Sequence, residues 1–319
     1  MGPLKKSQRL LADIGGTNVR LALHSPRGKP RKASSFRKGG YDSLSTAIED
    51  YLGRFPSRPN LCAAAFGVAA PPDKDIIEFT NSPWTFSQRA IREEFGLEKL
   101  EVINDFAAVA LSVPHLARAD RQKIGGGRAT PGLPIAVLGP GTGLGVSCLV
   151  STSTSLEILE TEGGHVTLAP FDEYEAEVLE CLRAEFGHVS AERIVSGPGL
   201  ANLYMAIAQR EEGKATPLKP ATISRRAASG ECSICVQAAD VFSAVLGTVA
   251  SNLALTVGAR GGVYVAGGVV PNMGAAFNHR EFRRRFEDKG RMSEYLAAIP
   301  TYVITHPAPA FLGLAHLLD

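Results

Sequence analysis

Five polar residues interrupt apolar or glycine-rich stretches of the chain. They are Asn104 and Asp105 in EVINDFAAVAL, Glu162 and His165 in ETEGGHVTLAP, and Glu192 in SAERIVSGPGL. Carboxylates accept hydrogen bonds from several hydroxyl groups at once. With a pKa of about 4, a carboxylate is also ionised at neutral pH and can take a hydroxyl proton. The set therefore predicts a site for a polyhydroxylated substrate, with one carboxylate serving as the base.

Three of these residues also have a purely structural interpretation, and the other two have the spacing of a metal site. Asn104 and Asp105 lie where a strand would run into a helix, so both are candidates for the helix N-cap. The two roles can coexist, because α/β folds place ligands at the carboxyl ends of strands. Glu162 and His165 have the spacing of metal ligands, but the two glycines between them predict a loop instead of the helix that such a site uses. Glu192 lies at the predicted start of an amphipathic helix, as a surface acid or as an inward ligand.

Two glycine-threonine turns occur in similar surroundings. Gly15-Gly16-Thr17 separates two apolar segments within LLADIGGTNVRLALH, and Gly141-Thr142-Gly143 does so within PIAVLGPGTGLGVSCLV. The pattern predicts two β-hairpins, with positive φ angles at the glycines of the first. Plain hairpin turns are the structural alternative. Two facing turns can instead hold a polyphosphate through backbone N–H groups and threonine hydroxyls. A Walker-type loop is excluded, because a strand follows each turn and neither turn contains a lysine.

Asp13 immediately precedes the first turn. A carboxylate there can hold Mg²⁺ through water, which suits the octahedral chemistry of that ion. The structural alternative is an aspartate that caps the turn.

Composition limits the partners. A chain of 319 residues with 45% hydrophobic and 21% charged residues suggests about two domains. The net charge of +2 gives no reason to expect nucleic acid or an acidic membrane surface. The uncharged segment 241–259 is long enough to span a bilayer, but its apolar residues recur at helical spacing and predict a buried helix. No secretory signal is visible. The five cysteines include one CxxC pair, Cys232 and Cys235, and predict reduced thiols in the cytoplasm.

The remaining pattern is that of an α/β protein. Helices are predicted near 43–54 and 86–96, and an apolar strand at 61–70. A further strand runs into a helix over 100–113. The Pro/Gly-rich stretch 114–134 is typical of a crossing between two domains.

The chain resembles the bacterial hexokinase-type glucokinases, which are members of the sugar kinase/actin-like ATPase superfamily. The resemblance spans essentially the whole chain and rests on these motifs, in order: LADIGGTNVRLAL, NSPW, VINDFAAVA, GPGTGLG, EGGHV, SAERIVSGPGL, GARGGVYVAGGVVP and FEDKGRMSEYLAAIPTYVITH.

The resemblance implies an α/β, two-domain actin-like ATPase (ribonuclease H-like) fold with the active site in an interdomain cleft. The small domain would comprise residues 1–113 and the C-terminal helix 305–319, and the large domain residues 114–304. It implies that ATP is bound by Ala12, Asp13, Ile14, Gly15, Gly16, Thr17, Gly141, Thr142, Gly143, Gly267 and Gly268. It implies that glucose is bound by Asn81, Asn104, Asp105, Glu162, His165 and Glu192, with Asp105 as the general base.

The implied reaction is ATP-dependent phosphorylation of the 6-hydroxyl of D-glucose, at the entry to glycolysis, with Mg²⁺. The resemblance also implies a cytoplasmic homodimer. Zinc is not expected, because the cysteine-rich motif of a neighbouring group of sugar kinases is absent after His165. Phosphorylation of another hexose and a non-catalytic sugar sensor are the alternatives, and the sequence leaves the phosphoryl donor open between ATP, ADP and polyphosphate.

Overall fold

The computed structural model describes residues 8–79, 84–152 and 155–319. The chain divides into two units. Unit 1 is formed by residues up to Ala117 together with His306–Asp319, and unit 2 by Arg118–Thr305. Both units combine helices with β-sheet, as predicted for an α/β protein.

The strands are β1 (Gln8–Ile14), β2 (Asn18–His24), β3 (Arg31–Arg37), β4 (Leu61–Val68), β5 (Ile76–Glu78), β6 (Thr85–Ser87), β7 (Lys99–Asn104), β8 (Arg121–Gly125), β9 (Ile135–Pro140), β10 (Leu144–Ser151), β11 (Leu156–Thr161), β12 (Gly262–Val265) and β13 (Thr301–Ile304). The α-helices are α1 (Leu44–Gly53), α2 (Gln88–Glu94), α3 (Asp105–Ser112), α4 (Glu173–Phe186), α5 (Gly197–Glu212), α6 (Pro220–Ser229), α7 (Ser233–Val257), α8 (Val269–Met273), α9 (His279–Glu287), α10 (Ser293–Ala297) and α11 (Ala310–Leu318).

Unit 1 contains a five-stranded sheet in the order β3-β2-β1-β4-β7. β1 and β2 form the predicted antiparallel hairpin, whereas β4 and β7 run parallel to β1. The predicted positive φ angles at Gly15 and Gly16 are wrong, because neither residue adopts one. The chain turns over four residues, closed by the Gly15 N–H donating to the Asn18 carbonyl at 3.0 Å. A two-residue turn would demand positive φ angles, and this longer turn does not.

Both faces of this sheet are covered. Successive side chains of a strand point to opposite faces, so Leu10 of β1 packs with α1 on one side and Leu11 with α3 and α11 on the other. Gly313 of α11 lies so close to α3 that a side chain there would overlap the Ala108 carbonyl. The tight fit between α3 and α11 fixes the helix that begins at Asp105.

Unit 2 contains a six-stranded sheet in the order β11-β10-β9-β12-β13-β8. β9 and β10 form the second predicted hairpin, and β12 and β13 run parallel to β9. The stretch 114–134, interpreted from composition as a crossing, also contains β8, an edge strand paired with β13. Its partner lies far along the chain, so local composition gives no sign of this pairing.

Helix α7 is the predicted buried helix and is longer than expected. It is long and apolar enough to cross a membrane by length and composition, and 72% of its most apolar window is buried inside the protein. Phe242, Leu246 and Ala250 are among its residues in the core of unit 2. The five cysteines form no disulfide. In the part of the chain that the structure describes, no cluster of three or more His, Cys, Asp or Glu side chains could hold a metal ion.

Candidate active site

The parallel strands of unit 1 bring two of the predicted site segments to one edge of the sheet. Ile14 pairs with Val68, and Val68 pairs with Asn104, so the ends of β1, β4 and β7 are in register. Neighbouring strands lie about 4.8 Å apart, which puts Ile14 about 10 Å from Asn104. The turn after β1 and Asp105 after β7 therefore begin at the same carboxyl edge.

Asn104 is the N-cap of α3. Its Oδ1 accepts hydrogen bonds from the N–H groups of Phe106 at 2.8 Å and Ala107 at 3.2 Å. Asp105 is the first residue of the helix, where the helix dipole favours a negative charge. The capping interpretation therefore applies to Asn104 and not to Asp105.

Gly67 allows the start of α3 to lie against the sheet. A Cβ at this position would lie 3.3 Å from the Cα of Asp105 and 3.4 Å from the Cβ of Ala108. The sequence analysis missed Gly67, although a glycine within an apolar strand is a sign of close approach by another segment.

The first turn has an open side. A Cβ at Gly16 would meet no atom within 4 Å, and the Gly16 N–H meets no acceptor among the residues that the structure describes. Ala12 and Ile14 are buried in the core of unit 1, which leaves only their main chain for a ligand, whereas Thr17 is exposed.

Asp13 lies beside this turn, with Oδ2 3.4 Å from a guanidinium nitrogen of Arg20. Its side chain is 18% exposed. Burial raises the pKa of the Asp13 carboxyl, and the positive charge of Arg20 opposes that rise. A cation near this carboxylate would favour its ionised form.

Lys38 holds the first turn from the inside, and the sequence analysis missed it. Its Nζ donates to the Gly15 carbonyl at 3.2 Å, and its main-chain N–H donates to the Thr17 carbonyl at 3.0 Å. Only 4% of Lys38 is exposed. In the sequence it belongs to the basic run Arg37-Lys38, which is typical of a solvated surface.

The second turn, in unit 2, is joined to the start of α5. The Gly141 N–H donates to the Gly143 carbonyl at 2.8 Å, and the Gly197 N–H donates to the Gly141 carbonyl, also at 2.8 Å. Thr142 at the tip of the turn is exposed. The first residue of α5 therefore lies directly against the turn.

Glu192 contacts the same turn. Its Oε2 accepts a hydrogen bond from the Leu144 N–H at 2.8 Å, and a side chain on Gly143 would collide with that oxygen. The prediction that Glu192 opens an amphipathic helix is wrong. It lies in a short 3-10 turn, Ala191–Arg193, and α5 begins at Gly197, because the Ser196 hydroxyl caps that helix by accepting from the Gly199 N–H.

Glu162 is the N-cap residue of a second 3-10 turn, Gly163–His165, which ends at His165 and lies where a loop was predicted. A side chain on Gly164 would collide with the Leu144 carbonyl, so the glycines are needed to pack this turn against β10. His165 Nε2 lies 3.8 Å from Glu162 Oε2, and the two side chains are 61% and 82% exposed. Leu144 thus links the segment of Glu162 and His165 to Glu192.

Gly267 and Gly268 lie between β12 and α8. Gly267 has a φ of +79°, and a side chain there would overlap the Pro140 carbonyl at the end of β9. Gly268 is the N-cap residue of α8. These glycines therefore lie next to the strand that leads into the second turn.

Each unit gathers its own share of the predicted site. Unit 1 brings together the first turn, Asp13, Asn104 and Asp105, and unit 2 the second turn, Gly267, Gly268, Glu162, His165 and Glu192. Asn81, predicted at the edge of the sugar site, lies outside the described residues.

Comparisons with known proteins show the family. The glucokinase family model matches residues 10–319. The chain is 51% identical over 310 residues to a glucokinase of Paramagnetospirillum magneticum, with 97% of each chain covered. It is 48% identical over 312 residues to a glucokinase of Aromatoleum aromaticum, covering 98% of this chain and 94% of the relative.

Two solved structures of glucokinases are similar in fold to this chain. A glucokinase from an Antarctic psychrotroph superposes with a TM-score of 0.87 at 38% identity, with 98% of each chain covered. A Balamuthia mandrillaris glucokinase in complex with glucose gives a TM-score of 0.79 at 22% identity, covering 98% of this chain and 93% of the other, and supports the fold alone. Because the family model matches residues 10–319 and two relatives are about half identical over nearly the full chain, the chain belongs to the bacterial glucokinase family of enzymes.

Proposed function

We propose that this enzyme transfers the γ-phosphoryl group of ATP to the 6-hydroxyl of D-glucose and releases glucose 6-phosphate, the sugar phosphate that enters glycolysis. The observation that carries the proposal is the register of unit 1. Because Ile14, Val68 and Asn104 are aligned, the first phosphate turn and the carboxylate of Asp105 start at the same edge of one sheet.

ATP would be bound mainly by main-chain groups of the two turns. Gly16 has no atom within 4 Å of a notional Cβ, and Gly141 has only the Gly143 carbonyl at 4.0 Å, so a phosphate group can approach the backbone at both places. We assign the adenosine to the neighbourhood of Gly267 and Gly268, which adjoin the second turn through Pro140.

Glucose would be held by Asn81, Asn104, Asp105, Glu162, His165 and Glu192. The hydrogen bond from the Leu144 N–H fixes one carboxylate oxygen of Glu192, which orients the other for a sugar hydroxyl. Exposed Glu162 and His165 side chains are available to further hydroxyls. Partners of this kind discriminate strongly against sugars that lack the matching hydroxyl, because a binding group is then left unpaired.

In the reaction, Asp105 acts as the general base. Its carboxylate takes the proton of the 6-hydroxyl while that oxygen forms a bond to the γ-phosphorus, and the bond from the γ-phosphorus to the bridging oxygen of ADP breaks. The N–H groups of the turns stabilise the negative charge on the transferred group. The start of α3 holds Asp105 in place, since Asn104 caps the helix and Gly67 lets it lie against the sheet.

The residues present fit Mg²⁺ bound with ATP. Mg²⁺ usually takes one or two carboxylates plus substrate phosphates and keeps several waters. Asp13, a largely buried carboxylate next to the first turn, could hold the ion through one of these waters, and the described residues contain no dedicated cluster of metal ligands. When bound, the ion would neutralise charge on the phosphate chain.

The actin-like fold with an interdomain active-site cleft is part of this proposal, with domains at 1–113 plus 305–319 and at 114–304. It is supported by the presence of one glycine turn and part of the sugar-binding set in each unit. The homodimer and the cytoplasmic location remain predictions.

A coupled assay of the purified protein tests the proposal. We expect ATP-dependent release of ADP with glucose, and weaker activity with mannose, fructose and N-acetylated hexoses. Preference for another hexose would revise the substrate, and a higher rate with ADP or polyphosphate would revise the donor. Glucose binding without turnover by any of these donors would favour the non-catalytic sugar sensor.

A further inference from the structure

Lys38 stands out among the side chains to which the mechanism assigns no role. It begins a short 3-10 turn, Lys38–Gly40, directly after β3. Its side chain reaches the Gly15 carbonyl and its main chain reaches the Thr17 carbonyl, so one residue holds both ends of the first turn.

The ammonium group of Lys38 is buried among aromatic rings. Its Nζ lies 3.5 Å from the centre of the Phe79 ring and 5.0 Å from that of Trp84. Among residues 8–79, 84–152 and 155–319, Lys38 forms no ion pair, and its Nζ donates to the Gly15 carbonyl instead. Lysines are almost never buried without a partner, because the charge loses its hydration. Burial accordingly lowers the pKa of Lys38 to about 8. A costly charge that is retained at a turn suggests a functional reason.

The contact with Gly15 has a geometric consequence for Gly16. In a trans peptide the carbonyl of one residue and the N–H of the next point in opposite directions, and the described residues contain no cis peptide bond. Because Lys38 holds the Gly15 carbonyl on the buried side, the Gly16 N–H points away from Lys38. A notional Cβ on Gly16 meets nothing within 4 Å, and its N–H has no acceptor in the described part of the chain, so the main chain of Gly16 is open to a ligand.

We propose that Lys38 is a positioning residue for the phosphoryl donor: by binding the Gly15 carbonyl it directs the Gly16 N–H at the phosphate chain of ATP. Its buried positive charge adds to the attraction that the turn exerts on an anion. This inference rests on the proposed function, because it assumes that the ligand of the turn is a nucleotide phosphate.

The test compares wild type with Lys38→Met and Lys99→Met, using calorimetry with the non-hydrolysable ATP analogue AMPPNP. Methionine keeps the length of the apolar stem and removes the charge and the donor. Lys99 is the control in the same unit: its Nζ also donates to a main-chain carbonyl at 3.2 Å, that of Leu317, away from the turn, but Lys99 is exposed and pairs with Glu101. We expect Lys38→Met to weaken AMPPNP binding by about tenfold or more, the size of a charge-assisted hydrogen bond. The glucose Kd should stay within about twofold, and Lys99→Met should match wild type in both.

An unchanged AMPPNP Kd in a folded Lys38→Met protein would overturn the inference, as would equal losses for AMPPNP and glucose. If wild type binds AMPPNP but phosphorylates no hexose, the proposed function fails while the binding data still decide the role of Lys38. Wild type that does not bind AMPPNP would overturn both.

A second measurement uses only wild-type protein and so does not depend on whether a variant folds. In wild-type protein labelled with ¹⁵N-glycine, the amide proton of Gly16 should move downfield when AMPPNP is added, as it gains an anionic acceptor. A Gly16 resonance that does not respond at saturating AMPPNP would also overturn the inference.

Discussion

The carboxylate of Glu192 occupies the space that a side chain on Gly143 would need. The two residues are 49 positions apart, and the same carboxylate accepts the N–H of Leu144, the residue after the turn, at 2.8 Å. A predicted sugar ligand and a predicted phosphate turn are therefore in direct contact within unit 2. A change at Gly143 should therefore affect the binding of the sugar.

Gly143→Ala should impair glucose use without unfolding the enzyme. The new methyl group meets the end of a flexible side chain, so Glu192 moves and loses its hydrogen bond to Leu144, and Gly143 has no positive φ that alanine would resist. We expect kcat/KM for glucose to fall by about tenfold, the value of one hydrogen bond to a charged group. Steady-state kinetics provide the measurement. Gly53→Ala is the matched control, because its Cβ meets nothing within 4 Å. An unchanged kcat/KM for glucose in Gly143→Ala would contradict the role of Glu192.

Gly141→Val should weaken nucleotide binding more than sugar binding. A branched side chain at this position blocks the approach of phosphate to the backbone of the second turn, whereas the native residue leaves that side open. Calorimetry with AMPPNP and with glucose measures both affinities on the same protein. Equal losses for the two ligands would indicate general misfolding and not a phosphate site.

Asp105→Asn should remove the base and keep the fold. A positioned base contributes about 10²–10⁴-fold, and we expect kcat to fall by that factor while glucose affinity falls less. The helix should persist, because the cap of α3 is Asn104. Near-normal kcat in Asp105→Asn would rule out the proposed mechanism.

Asn104→Ala separates the capping role from the chemistry. Loss of the two hydrogen bonds at the start of α3 should lower the free energy of unfolding by about 0.5–2 kcal/mol. Denaturant unfolding measures this effect, and Asp105→Asn is the comparison that should lose much less stability. Equal destabilisation by the two changes would mean that Asp105 also supports the helix.

The buried charge of Lys38 predicts a pH dependence of stability. Its pKa is about 8 in the folded enzyme against 10.5 for the free side chain, so the folded state disfavours the protonated form. This cost is fully present below about pH 8 and disappears as the pH rises towards about 10.5. The Tm of wild type minus that of Lys38→Met should therefore increase over this range. A difference that stays constant over this range would contradict the lowered pKa of Lys38.

Local patterns in the sequence were sufficient for several elements. Alternation on either side of two glycine turns predicted the β1–β2 and β9–β10 hairpins, and an apolar strand ending in Asn104 predicted the junction with α3. These features depend on neighbours in the chain, and the ordered motifs were sufficient to predict the family. The φ angles at Gly15 and Gly16 could not be predicted, because they depend on whether the turn closes over two residues or four.

Other features were decided only by the tertiary structure. Lys38 contacts Gly15, which is 23 positions away in the sequence, and Glu192 contacts Leu144, which is 48 positions away. Gly67 of β4 lies against Asp105 at the start of α3. No periodicity marks such contacts, since each arises from how strands and helices pack after they have formed. The sequence alone therefore determined the family, the hairpin turns and the candidate ligands. Only the tertiary structure determined which of these residues share an edge of a sheet, and that Lys38 is buried beneath the first turn. The reason is that non-local packing sets the position and the environment of a side chain.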